Sequence, residues 1–135
     1  MSAPPRLAIF LHSGDYDRVH QGLAIACAAV AAGRPVDLFF FWWALDRLVR
    51  DALDAPDLGP PHEDVADRFE ARGLPSIREL LTNLRALGGA TLIACSGSVE
   101  AIGADRERLA GAVDQVMGWS GILQRTAGVV DRFYL

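Results

Sequence analysis

Apolar residues fall into two arrangements along this chain of 135 residues. Short unbroken runs, such as Leu7-Ala8-Ile9-Phe10-Leu11 and Ala90-Thr91-Leu92-Ile93-Ala94-Cys95, alternate with stretches where apolar positions recur every three or four residues. Unbroken runs of this length predict strands of a parallel sheet covered on both faces. The three-to-four spacing predicts amphipathic helices.

Leu7–Leu11 is the first predicted strand, ended by Ser13-Gly14-Asp15. Ser13 or Asp15 can cap a helix running to about Ala32, with Gly33 closing it. Tyr16, Val19, His20, Leu23, Cys27 and Val30 mark its packed face. Pro35–Phe41 predicts a second strand, and Trp42-Trp43-Ala44-Leu45 turns into a short helix ending near Leu53. Asp54–Asp64 holds Pro56, Gly59, Pro60 and Pro61 and predicts a loop that serves as a lid or an interface arm. A helix follows, clearest over Pro75–Leu87 and stopped by Gly88-Gly89. Ala90–Cys95 is the third strand, and Ser96-Gly97-Ser98 turns into a helix broken at Gly103, with Asp105 capping a further short turn. Val113–Val116 predicts a fourth strand, Trp119–Ala127 a helix and Val129–Tyr134 a last strand. Strands alternating with helices give a single domain spanning 1–135. The expected architecture is a three-layer α/β/α sandwich on a mainly parallel five-stranded sheet of the flavodoxin-like kind.

In open parallel sheets, ligands bind beyond the carboxyl ends of the strands. Three predicted strand exits therefore gather the candidate chemistry: His12, Ser13, Gly14 and Asp15; Phe41, Trp42 and Trp43; Cys95, Ser96, Gly97 and Ser98. Cys95 stands before a small-residue turn and a helix start, where free backbone N–H groups favour an anion. A thiol so placed is favoured as the nucleophilic thiolate. A buried cysteine filling space behind the strand is the competing reading. Cys27, mid-helix in an alanine-rich stretch, reads as core filler. His12 could orient a ligand or tune the thiol, or serve as a hydrogen-bonded structural histidine. Asp15 suits the first turn of a helix. Trp42 and Trp43 could stack on a ligand or form a subunit contact.

Composition narrows the choices. Hydrophobic residues make up 51% and charged residues 22%, as in ordinary globular domains. All 13 basic residues are arginines, so Schiff-base lysine chemistry and a P-loop lysine are excluded. The net charge of −4 argues against a dedicated nucleic-acid surface. Two cysteines are too few for a disulfide scaffold or a four-thiolate zinc site, and no HxxxH or CxxC spacing points to a metal. No GxGxxG or GxSxG motif is present. The most apolar later segment, Leu38–Leu45, falls short of the ~20 residues a spanning helix needs, and no targeting signal is visible. The expectation is a cytoplasmic protein with reduced thiols, without an integral membrane segment, nucleic-acid partner, metal or cofactor.

The turn Ser13-Gly14-Asp15-Tyr16-Asp17-Arg18, the alanine-rich helix after it, and Val36–Leu45 ending in Phe-Phe-Phe-Trp-Trp-Ala-Leu together resemble the DsrE/DsrF-like sulfur-relay proteins. They look most like the peroxiredoxin-like branch of that family. Ala94-Cys95-Ser96-Gly97-Ser98-Val99-Glu100-Ala101-Ile102-Gly103 resembles the branch's Cys-x-x-Ser-Met-Asp/Glu-x-Met-Gly segment. Val99 and Ile102 replace the methionines, and Ala44 replaces a glycine. The resemblance covers most of the chain apart from the proline-rich loop. It implies a flavodoxin-like fold, oligomers, and a cysteine carrying sulfur as a persulfide, with Cys95 at the matching position. The expected activity is that of a small sulfur carrier or sulfurtransferase: Cys95 takes sulfane sulfur from a donor protein or small thiol and passes it to an acceptor. Two other readings stand beside it, a non-catalytic oligomeric interaction module and a small-ligand or nucleotide-binding domain using the strand-end crevice.

Overall fold

A computed structural model describes residues 3–135. Its elements in chain order are β1 (Leu7–Leu11), α1 (Tyr16–Ala31), β2 (Val36–Phe40), α2 (Trp42–Val49), α3 (Val65–Arg72), α4 (Ile77–Leu87), β3 (Ala90–Cys95), α5 (Ser96–Ile102), α6 (Arg106–Ala112), β4 (Gln115–Met117), α7 (Trp119–Arg125) and β5 (Asp131–Tyr134). The five strands form one sheet in the order β4-β3-β2-β1-β5. Every neighbouring pair is parallel. The unbroken apolar runs are explained by burial: all five residues of β1 and of β2 are buried.

The two faces are covered unequally. Leu7, Ile9 and Leu11 of β1, with Val36, Leu38 and Phe40 of β2, pack under α1, α2, α4, α5 and α6. The alternate positions Ala8, Phe10, Phe39, Ile93 and Cys95 meet Ile122 of α7. The strand order accounts for this. β1 through β4 step in one direction, so right-handed crossovers put their helices on one face. The return from β4 to β5 runs the other way and lands on the opposite face. That return contains one helix of seven residues. The third layer of the sandwich is thus a single short helix crossing an aromatic sheet face.

Asp37 lies inside the buried run of β2 with no exposed surface. Its Oδ1 accepts hydrogen bonds from Arg6 Nη1 and Arg125 Nη2, both at 3.0 Å. This buried ionic cluster ties the segment before β1, the centre of the sheet and α7 together.

Several boundaries differ from the sequence reading. The fourth strand begins at Gln115, two residues later than the apolar pattern indicates. Val113 instead closes α6 and is buried, and Asp114 Oδ2 accepts the Leu92 N–H at 2.8 Å. The segment after the proline-rich loop is divided into α3 and α4. Gly73 ends α3 in the left-handed conformation (φ +60), and the Ser76 hydroxyl caps α4 by accepting from the Glu79 N–H at 3.1 Å. α3 escapes an apolar-pattern search because it buries no residue. Neither Ser13 nor Asp15 caps α1 through its side chain: Asp15 occupies the N-cap position without such a bond, while the Ser13 hydroxyl accepts the Asp15 N–H at 3.1 Å. The α1 face is also turned slightly. Gly22 and Ala26 are buried there, whereas His20 and Cys27 are half-buried at its margin.

Candidate functional site

The exits of β1 and β2 are bound to each other by backbone. Phe41 N–H donates to Leu11 O at 2.9 Å, and Ala44 N–H donates to His12 O at 3.2 Å. Leu135 O accepts from the N–H groups of His12 at 2.7 Å and Ser13 at 3.2 Å, which brings the end of β5 against the same turn. Gly14 fits because it has no side chain. A Cβ there would lie 2.8 Å from both Cβ and the carbonyl oxygen of Trp43. The turn after β1 and the start of α2 therefore touch backbone to backbone.

Arg47 locks that contact. It is buried on α2, and its Nε donates to Gly14 O at 2.6 Å while Nη1 donates to Ala52 O at 2.9 Å. Nη2 pairs with Asp57 of the proline-rich loop at 2.9 Å, and the guanidinium lies 5.4 Å from the centre of the Tyr16 ring. Tyr16 in turn accepts the Ile77 N–H at 3.0 Å, holding the first amide of α4. Burial pushes the Tyr16 phenol above its ordinary value, against the opposing effects of the Ile77 amide and the Arg47 charge.

Trp42 follows directly with φ +44, a left-handed backbone that bulky residues rarely adopt. Such strain costs about 1–3 kcal/mol and concentrates at ligand sites and switch regions. It places the Trp42 ring at the mouth of a crevice of about 440 Å³. The crevice is walled by five rings: Phe10, Phe41, Trp42, Trp119 and Tyr134. Four of them form a stack around Phe10. Tyr134 lies 4.7 Å from it, Phe41 6.3 Å and Trp119 6.4 Å, with the Phe41 and Trp119 rings 5.1 Å apart. His12, Ser13 and Arg18 supply the polar lining. Arg18 is exposed, lines the crevice and makes no ion pair among the described residues.

The sequence-predicted site residues divide into two groups. His12, Ser13 and Trp42 line the crevice, and Gly14 supports it from behind. Asp15 is exposed at the head of α1. Trp43 points away into solvent, its ring 5.9 Å from that of Trp42. Cys95 lies elsewhere: it is 5% exposed and packed with Phe10, Phe39, Phe41 and Ile122, behind the crevice wall and outside its lining. Its sulfur has no hydrogen-bond partner among the described residues. Cys95 holds the N-cap position of α5, a helix of seven residues. Ser96 and Gly97 are exposed at the start of α5, Ser96 against Gly118, while Ser98 is buried. Cys27, the other thiol, donates to Leu80 O at 3.4 Å, and burial raises it above the ordinary thiol value.

Arg18, Trp119 and Tyr134 are additions to the sequence-based site. Tyr134 ends β5 and Trp119 opens the helix after β4, so applying the strand-exit rule to the last two strands would have found both. No group of three His, Cys, Asp or Glu side chains among the described residues is placed to hold a metal ion. No helix among the described residues is long and apolar enough to cross a membrane.

This topology is that of a flavodoxin-like α/β fold. Comparison with solved structures supports that assignment of fold. The chain is similar to a protein of unknown function, MTH1491, from Methanobacterium thermoautotrophicum, with 18% identity and a TM-score of 0.60, covering 97% of this chain and 99% of that one. It is also similar to the ychN protein of E. coli, with 14% identity and a TM-score of 0.64, covering 98% and 99% of the two chains. No family model and no curated protein sequence matches the chain.

Proposed function

We propose that the protein binds a small, flat, apolar ligand bearing one anionic group in the crevice at the carboxyl edge of its sheet. The observation that carries this reading is that five aromatic residues and Arg18 line one cavity of about 440 Å³. That volume lies in the ~300–1,000 Å³ range of small-molecule sites, which combine apolar walls with a few fixed polar groups. The rings stack on the flat body, Arg18 meets the anion, and His12 and Ser13 offer further hydrogen bonds. The probe 1-anilinonaphthalene-8-sulfonate tests the reading. Saturable binding at one site is expected, weakened about tenfold by Arg18→Gln through loss of a charge-assisted hydrogen bond. Binding unchanged in both Arg18→Gln and Trp119→Ala would refute it.

A second reading, sulfur carriage on Cys95 within the DsrE-like family, draws on one observation. Cys95 ends β3 at the same sheet edge and packs behind Phe10 and Phe41 of the crevice wall. In this reading the Cys95 thiolate attacks the outer sulfur of a donor persulfide, forming a Cys95 persulfide and releasing the donor thiolate. Because the thiol is buried, side chains packed around it must move for the donor to reach it. Intact-mass measurement after incubation with a sulfur donor is the test: one added sulfur that persists in Cys27→Ser and disappears in Cys95→Ser is expected. No adduct on the parent protein rejects it.

A further inference from the structure

A separate cavity of about 680 Å³ opens between α2, α4 and α6, on the helix-covered face of the sheet. Its apolar lining includes Leu48, Leu53, Leu81 and Leu92. Arg50, Arg78, Arg85 and Arg108 also line it, with Asp51 as the one carboxylate among its lining residues.

Three of the arginines sit in exposed ion pairs at the rim of the cavity. Arg50 Nε is held by Asp46 at 2.7 Å. Arg78 bonds Asp54 through Nε at 2.6 Å and Asp51 through Nη2 at 2.8 Å. Arg85 Nη1 donates to both oxygens of Asp114, at 2.9 and 2.8 Å. Asp46, Asp54 and Asp114 do not line the cavity. Asp46 and Asp114 therefore hold Arg50 and Arg85 from outside it, while Arg78 is held by Asp54 from outside and by Asp51 from within the lining. Each of the three keeps donors unused among the described contacts: both Nη groups of Arg50, Nη1 of Arg78, and Nε and Nη2 of Arg85. Arg108 has no side-chain partner among the described residues. Guanidinium groups already held in place lose less freedom when they meet a ligand. One carboxylate is satisfied by a single arginine fork, whereas several arginines lining one cavity suit an oxyanion with more oxygens and more charge.

We propose that this cavity binds a small phosphate-bearing molecule of the nucleoside diphosphate type. Its phosphates meet the arginines, and its flat base covers the leucine surface. The chain's net charge of −4 offers no general attraction for such an anion. The affinity is therefore local to the arginines and falls as salt rises.

Calorimetry on the full chain tests the assignment with three probes: adenosine diphosphate, inorganic pyrophosphate and adenosine. Adenosine diphosphate is expected to bind saturably at one site, pyrophosphate more weakly, and adenosine not at all. Arg108→Gln should lower the affinity for adenosine diphosphate about tenfold, the worth of one charge-assisted hydrogen bond. It should leave the melting temperature of the unliganded protein unchanged, because that guanidinium holds no other described group. Arg106→Gln, on the same helix but outside the cavity, should stay within about twofold of the parent, as expected for an exposed charge. Three results would overturn the proposal: no saturable binding of either phosphate compound, adenosine binding as tightly as its diphosphate, or equal losses in Arg106→Gln and Arg108→Gln. Loss of adenosine diphosphate binding in Arg18→Gln with none in Arg108→Gln would also overturn it and place the nucleotide in the aromatic crevice.

Discussion

Replacing Arg47 with methionine removes the cation that joins α2 to both neighbouring loops while keeping a long apolar stem. The Arg47 side chain is 8% exposed, so water does not readily take its place. Gly14 O and Ala52 O lose their donors, at about 1.5–3 kcal/mol for each hydrogen bond from a charged group. The Asp57 carboxylate is 59% exposed and rehydrates, so its ion pair contributes at most about 1 kcal/mol. Against these losses stands the desolvation cost of the buried guanidinium, several kcal/mol, which the methionine variant recovers in part. The expected net loss is about 2–4 kcal/mol, which a domain with a total stability of about 5–15 kcal/mol survives. Urea denaturation followed by circular dichroism should show a lower midpoint with an unchanged slope. Arg47→Lys should recover less than half of the loss, because one ammonium cannot span two carbonyls and a carboxylate. Asp57→Asn should cost under about 1 kcal/mol. The reasoning fails if Arg47→Met falls within about 0.5 kcal/mol of the parent, the usual range of a surface substitution. It fails equally if Asp57→Asn costs as much as Arg47→Met, since the energy would then reside in the exposed ion pair.

Two further outcomes follow from the same geometry. Gly14→Ala forces a Cβ to within 2.8 Å of Trp43 backbone and should destabilise by about 1–3 kcal/mol while weakening the anilinonaphthalene probe; parent-like stability and binding would show that the turn yields freely. Burial raises Asp114, but the Arg85 hydrogen bond, the Leu92 amide and the Arg85 charge outweigh it and hold the carboxyl below its usual value. The folded-state value lies below the unfolded one, so this stabilisation is complete above about pH 4 and is lost as pH falls through the lower folded value. Asp114→Asn should therefore flatten the acid limb of the stability–pH curve, by no more than about 1 kcal/mol because the side chain is 37% exposed. An acid limb as steep as the parent's would refute it.

Local chemistry marked most of the elements. Leu7–Leu11 and Ala90–Cys95 are strands because unbroken apolar runs require cover on both faces, and Gly88, Gly103 and Asp105 stop or start helices where their conformations and side chains indicate. The pattern failed at α3 and at Val113. α3 buries nothing, and Val113 is apolar for the sake of α6 rather than of a strand. Nothing in the local pattern singles out Arg47 or Asp37. Only the assembled chain surrounds them, giving Arg47 two carbonyls and Asp37 two guanidinium groups.

The sequence by itself determined an alternating α/β chain with a parallel sheet, and it put His12, Ser13 and Trp42 at a common edge, because strand exits in such sheets converge. It also marked Cys95 as the thiol at that edge. The tertiary structure decided that Cys95 packs behind the wall of the crevice and that Arg18 joins its lining, while Trp119 and Tyr134 follow from the strand-exit rule once the last two strands are included. The return from β4 to β5 crosses the opposite face of the sheet and brings together residues more than one hundred positions apart. Spacing along the chain carries no record of that juxtaposition.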